Sequence, residues 1–264
     1  MLPLGENFSN KTKALLKEGK KTAGAWLQVA SPFTAEIMAR AGFDWLMIDM
    51  EHGPGDIMTL ISQLQAMKGY GVEAFVRAPW NDFVAIKKIL DAGVHGVLVP
   101  YVNTKQEAED AVKAVTYPTK GIRGVAGSCR AQGYGLGNNQ YFPYADQEIM
   151  LMVAMETPEA VSNLDAILEV EGIDGIFIGP MDLATSMGHF CDPSHPDVQA
   201  TIKIIEEKVS KSNKFLGTVA GNFEKAKVLY EKGYQYVVIM ADGVALSQLA
   251  HQTAQQFHEQ YKER

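Results

Sequence analysis

The chain has 264 residues, 47% of them apolar, which suffices for a large buried core; one α/β barrel needs about 250 residues. Its 24 basic and 31 acidic side chains leave a net charge of −7, which disfavours nucleic acid or an anionic membrane as the main partner. Two cysteines, Cys129 and Cys191, are too few for a disulfide framework, and no apolar run approaches the ~20 residues that cross a bilayer.

In chain order, the first strand expected is Thr22-Ala-Gly-Ala-Trp-Leu-Gln-Val29. A template then recurs: a Gly, a few residues, and a short apolar run. It appears as Gly42-Phe-Asp-Trp-Leu-Met-Ile-Asp49, Gly93-Val-His-Gly-Val-Leu-Val-Pro100, Gly172-Ile-Asp-Gly-Ile-Phe-Ile-Gly179 and Gly233-Tyr-Gln-Tyr-Val-Val-Ile-Met240. Each leading Gly ends a helical stretch, where a left-handed cap is cheapest for glycine. Each apolar run has the composition of a strand buried on both faces. Between the templates lie Glu73-Ala-Phe-Val-Arg77, Ile149-Met-Leu-Met-Val-Ala-Met155 and Phe215-Leu-Gly-Thr-Val219.

Helical patterns separate these strands at residues 34–41, 56–68, 83–92, 105–115, 158–170, 196–212, 224–232 and 244–261. Within 83–92, Val84, Ile86, Ile89 and Leu90 form the apolar face and Lys87, Lys88 and Asp91 the polar one. Eight alternating units predict one (β/α)8 TIM barrel over residues 1–264, with an open doubly wound sheet as the rival. One long irregular stretch, 118–144, rich in Gly, Asn, Gln and Tyr, reads as a loop over the barrel mouth or as a subunit contact. Residues 1–7 show neither a basic nor an apolar segment of a secretory signal, so a soluble, cytoplasmic protein is expected.

Parallel α/β folds work at the C-terminal ends of their strands. There the chain places Asp49, Glu51 and His52, then Arg77, Glu156 and Asp182. Glu156 and Asp182 are oxygen donors from neighbouring strands, and two carboxylates leave most of an octahedral ion open to substrate; Mg²⁺, Mn²⁺ or Co²⁺ suits them. His52 reads either as a third ligand or as a free base. Each residue alone has a plain alternative: Asp182 as the cap of a helix over 183–187, Arg77 as partner of a structural carboxylate. His189 and His195, flanking Cys191, are set aside as at most an adventitious metal site. No lysine falls inside a strand or at its C-terminal end, so a Schiff-base mechanism lacks its amine. Neither a dinucleotide fingerprint nor a Walker loop is present.

Five motifs, Asp49-Met-Glu-His-Gly-Pro54, Arg77-Ala-Pro-Trp-Asn-Asp82, Gly121-Ile-Arg-Gly124, Glu156-Thr157 and Gly179-Pro-Met-Asp-Leu183, resemble the HpcH/HpaI family of class II pyruvate aldolases, in order and with similar spacing. The resemblance implies a divalent metal held by Glu156 and Asp182, pyruvate bound by Arg77 with Met181 and Asp182, His52 as general base, and Asp91 as its acidic partner. It implies a conserved loop arginine at Arg123, and a homo-oligomer, trimer or hexamer, in which the last helix packs on a neighbouring barrel. The chain departs from the family at Ala154, where a glutamine is usual. The reaction implied is reversible cleavage of a 4-hydroxy-2-oxo acid to pyruvate and an aldehyde. Oxaloacetate decarboxylation is the alternative; a CoA-thioester lyase and a catalytically silent assembly subunit rank lower.

Overall fold

The computed structural model describes residues 5–263. Among them, eight parallel strands close into a barrel in sequence order: β1 (Thr22–Leu27), β2 (Trp45–Asp49), β3 (Glu73–Arg77), β4 (Gly96–Val99), β5 (Met150–Met155), β6 (Gly175–Ile178), β7 (Phe215–Val219) and β8 (Tyr236–Ala241). β8 pairs with β1, which excludes the open sheet. The leading glycines of the template, Gly42, Gly93, Gly172 and Gly233, all have φ between 89° and 101°, the left-handed cap their spacing predicts.

The barrel interior is filled by alternating large and small side chains. Trp45 lies flat on Tyr236 at 3.6 Å, and Phe75 meets both rings edge-on. Room for Trp45 comes from Gly24, where a Cβ would sit 2.3 Å from the indole. The second glycine of two templates does the same: a Cβ at Gly96 would fall 2.6 Å from Phe75, and one at Gly175 would fall 2.9 Å from Met152. A short helix, α1 (Lys11–Lys17), closes the barrel where the strands begin. Glu73 accepts the first N–H groups of α1, from Lys11 and Thr12, at 2.6 and 2.8 Å, an anion at a helix N-terminus. Leu16 completes the interior layer, and Lys13 pairs with Asp174.

The outer ring is α2 (Pro32–Arg40), α3 (Ile57–Ala66), α4 (Phe83–Asp91), α5 (Lys105–Val115), α6 (Asn138–Glu148), α7 (Pro158–Ser162), α8 (Leu164–Leu168), α9 (Pro180–Ser186), α10 (Pro196–Val209), α11 (Phe223–Glu231) and α12 (Asp242–Gln260). The expected helix 158–170 is two helices, broken at Asn163. The stretch 118–144 is not all irregular: a turn of 3-10 helix spans Arg130–Gln132, and α6 begins at Asn138 despite Pro143 inside it. It does not cover the mouth. Tyr141 packs on Phe8, and Arg130 donates to the carbonyl of Ala92, both at the end where the strands begin. The chain leaves the barrel at the foot of α5, so the stretch folds against that end.

Helix α12 meets its own barrel mainly through β1 and β8. It leaves Val244, Leu246 and Leu249 half or more exposed. No helix among the described residues is long and apolar enough to cross a membrane. Cys129 and Cys191 are free thiols.

Candidate functional site

β2 and β3 end in register, with Asp49 opposite Arg77. Strand alternation turns both side chains into the barrel, above Met47 and Phe75. Arg77 therefore grips Asp49 with two hydrogen bonds, Nε at 2.9 Å and Nη2 at 2.6 Å from its oxygens. Nη1 lies 3.0 Å from Glu51, and the guanidinium sits 4.5 Å over the ring of Trp26. Asp49 also accepts from Gln28. Burial alone would raise its carboxyl, but Arg77, Gln28 and the backbone of His52 together hold it below the usual carboxylate range. A forked ion pair of this kind fixes both groups. Three of the five guanidinium N–H groups are engaged, so two remain to meet a ligand.

Glu156 follows β5 and is almost fully buried. Its Oε1 accepts the backbone N–H of Tyr101 at 2.7 Å. Burial first, then the charges of Asp182 and Glu51, push its carboxyl up to about 7 against the Tyr101 hydrogen bond. Gly179, after β6, makes the space it occupies: a Cβ there would stand 2.7 Å from Oε2. Asp182 lies in the first turn of α9, whose N-cap is Gly179, so it is not the capping residue. Met181, beside it, is 46% exposed. The hydroxyl of Ser186 donates to the carbonyl of Glu156 and ties α9 to the end of β5.

Asp182 thus pushes both Glu51 and Glu156 up, around a guanidinium that Asp49 already neutralises. Hard oxygen donors with an excess of negative charge, one of them driven towards protonation, fit a divalent cation such as Mg²⁺ or Mn²⁺. His52 is 62% exposed in the loop after β2, and its Nε2 lies 3.8 Å from Glu51.

Asp91 is elsewhere. α4 runs from the mouth back to the end where the strands begin, and Asp91 is its last residue. It pairs with Arg123 at 3.2 Å, so within one chain it cannot be the partner of His52. Arg123 is fully buried between the rings of Tyr117 and Tyr141 and pins the 118–144 stretch to α4. A cavity of about 430 Å³ opens at that same end, lined by Phe8, Glu73, His95 and Arg130. It lies opposite the clustered acids and Arg77. His189, His195 and Asp197 gather at the start of α10, with donor atoms within 4.8 Å of one another. The two imidazoles stack at 3.5 Å, so their in-plane lone pairs run side by side instead of converging.

Ala154, 3% exposed, faces inward beside Phe177, so the floor under Glu156 is apolar where a glutamine was the family expectation. Sequence reasoning passed over two residues. Tyr101 adopts a left-handed φ of 51° to reach Glu156, and its ring stacks on Trp80 at 5.5 Å. A Tyr after Pro100 at a strand end was the available signal for it. Asp242, after β8, accepts the N–H groups of Gln28 and Val29 and the hydroxyl of Thr34, locking the barrel seam.

A family profile described as HpcH/HpaI aldolase/citrate lyase matches residues 22–249. The chain is 41% identical over 250 residues to a 4-hydroxy-2-oxo-heptane-1,7-dioate aldolase of Escherichia coli, covering 95% of each. It is 43% identical over 235 residues to a 5-keto-4-deoxy-D-glucarate aldolase of Escherichia coli O157:H7, covering 89% of this chain and 91% of the relative. The crystal structure of a protein of that family from Burkholderia cenocepacia J2315 superposes with a TM-score of 0.90 at 32% identity, covering 95% of this chain and all of that one.

Proposed function

The chain belongs to the HpcH/HpaI aldolase/citrate lyase family, and on that premise we propose that it is a class II pyruvate aldolase, a carbon–carbon lyase that reversibly cleaves a 4-hydroxy-2-oxo acid to pyruvate and an aldehyde. The observation that carries the site assignment is the acid cluster of Glu51, Glu156 and Asp182 around Arg77 at the barrel mouth.

Glu156 and Asp182 would hold a divalent ion, Mg²⁺, Mn²⁺ or Co²⁺. Bound there, the ion would act as a Lewis acid towards the carboxylate and keto oxygens of pyruvate. Arg77 presents a fixed positive charge where negative charge gathers on the keto oxygen, and Asp49 keeps it from swinging away. His52 takes a proton from the pyruvate methyl group. Glu51, not Asp91, is its acidic neighbour in the chain and steadies the imidazolium. The enolate carbon then attacks the aldehyde carbonyl, whose oxygen takes the proton carried by the His52 imidazolium, forming the hydroxyl and restoring the neutral base. Cleavage runs the same steps backwards, with His52 returning the proton to the methyl carbon.

The exposed apolar residues of α12 support assembly with further copies of the chain, as a trimer or hexamer. The free thiols agree with a reducing, cytoplasmic setting. The experiment is incubation with pyruvate, Mn²⁺ and a panel of aldehydes. Formation of 4-hydroxy-2-oxo acids supports the reading, and its absence across the panel rejects it.

A further inference from the structure

We propose that the cavity at the end where the strands begin is a binding site for a small organic carboxylate, its carboxyl group held by Arg130 and its apolar body by the walls around Phe8 and Leu64. The site lies at the opposite end of the barrel from Arg77 and Glu156, so it stands apart from the aldolase reading.

The first observation is a buried charge without an answering one. Arg130 is 6% exposed, and its Nη1 donates to the carbonyl of Ala92 at 2.6 Å. That carbonyl caps α4 and brings no full negative charge. No carboxylate pairs with the guanidinium among the described residues; burial pushes its pKa down, and the group acting against this is the Tyr134 phenol. A buried cation with no anion is unfavourable. Its other nitrogens, Nε and Nη2, neither bond to the described residues nor are sealed off by them, so they open onto the cavity that the side chain lines. They present the fork of donors that a carboxylate accepts in pairs. Lys11 and Lys68 stand in the same lining, and neither forms an ion pair among the described residues. Of the two acids beside them, Glu73 is engaged by the N–H groups of Lys11 and Thr12, and Glu6 is exposed. The lining therefore suits an anion.

The second observation is room. The cavity holds about 430 Å³, within the ~300–1,000 Å³ of small-molecule pockets and far more than a water or a chloride fills. Phe8, Leu64, Met67, Val72 and Ala131 give it apolar walls. Phe8 is held in place on three sides. Its ring stacks on His95 at 5.5 Å and leans on Tyr141 at 4.8 Å, and its N–H donates to the carbonyl of Gln140 at 2.8 Å. A preformed apolar chamber with one buried cation matches an apolar body that ends in one carboxylate. A second carboxylate on that body would have to be buried against the apolar walls.

Hexanoate is the probe, with hexanamide as its uncharged match and acetate as the carboxylate without the body. Calorimetry uses the full, assembled chain in EDTA, so that no metal gathers carboxylates at the mouth. Hexanoate should bind saturably, about tenfold or more tighter than either control, the usual contribution of charge-assisted hydrogen bonds. Arg130→Gln should weaken hexanoate by about tenfold or more and leave hexanamide within about twofold, while Arg130→Lys, which keeps the charge, should recover part of the loss. Ser9→Trp, at an exposed position of the lining, should fill the cavity and abolish binding without touching the Ala92 carbonyl, and it carries the test should Arg130→Gln fail to fold. Arg77→Gln alters the mouth alone and should leave hexanoate affinity within about twofold of wild type. Absence of saturable binding, equal binding of hexanoate and hexanamide, or a loss in Arg77→Gln with retention in Arg130→Gln overturns the site. Binding that appears only once residues 1–4 are deleted overturns it as well, since the chain's own end would then be the occupant. Each of these failures leaves the aldolase reading standing.

Discussion

The Glu156→Gln substitution should make the metal-free protein more stable and the enzyme inert. The Glu156 carboxyl titrates at about 7 in the fold against 4.5 for an unperturbed one. As pH rises through that window, the unfolded chain releases this proton before the native state does. The native state therefore binds more protons, and stability falls from pH ~4.5 to ~7 and then levels. At about 1.4 kcal/mol per pH unit, the full loss is about 3 kcal/mol at pH 8. A glutamine in this place would carry no charge, so the loss vanishes; the Tyr101 hydrogen bond to the charged carboxylate is already counted in where that carboxyl titrates. The net expectation is a variant about 3 kcal/mol more stable than wild type at pH 8 and close to it at pH 4.5. Urea unfolding in EDTA at the two pH values measures this, and titration calorimetry should show Mn²⁺ affinity lost. A variant that is less stable at pH 8, or that keeps the wild-type pH slope, would refute the claim that burial and neighbouring acids strain Glu156 to hold a cation.

His52→Ala should slow exchange of pyruvate methyl protons by ~10²–10⁴-fold, the usual worth of a general base, while Mn²⁺ binding persists; loss of the metal as well would reassign His52 as a ligand. Gly179→Ala should push the Glu156 carboxylate aside, since the new Cβ would stand 2.7 Å from Oε2; a Mn²⁺ affinity within twofold of wild type would show that Glu156 does not hold the ion from that position. Leu246→Asp with Leu249→Asp on α12 should reduce a trimer or hexamer to smaller species by light scattering, and a wild-type monomer would reject the assembly. Truncation for the same purpose has to fall after Gly243, because Asp242 holds the turn between β1 and α2.

The barrel was legible because its signals are local. The cap glycines, the doubly buried apolar runs and their spacing all lie within short windows of sequence, and the structure keeps them. Glu156, Asp182, Arg77 and His52 were legible because each lies at or just past a strand end, and connectivity alone sends them to one mouth. What failed was longer in range. Tyr101 became visible only through Glu156, 55 residues away on the neighbouring strand. Helix α6 was hidden by its polar composition and by Pro143, and what stabilises it is packing of Tyr141 and Ala145 into the core. Asp91, carried over by likeness, ends α4 on the side away from His52 of its own chain, so a single chain does not bring the two together. The breadth of the acid cluster also escaped, because Glu51 looked like one strand-end acid among several until Arg77 was seen to join it to Asp49.

Activation of pyruvate at this mouth, through a cation held by Glu156 and Asp182, is tested most directly by proton NMR of pyruvate in D₂O with the enzyme and without aldehyde. The methyl signal should disappear with Mg²⁺ present, persist in EDTA, and persist in the Asp182→Asn variant at any Mg²⁺ concentration tolerated. Exchange that continues in EDTA, together with a borohydride-trapped pyruvate adduct on a lysine by intact mass, would contradict it.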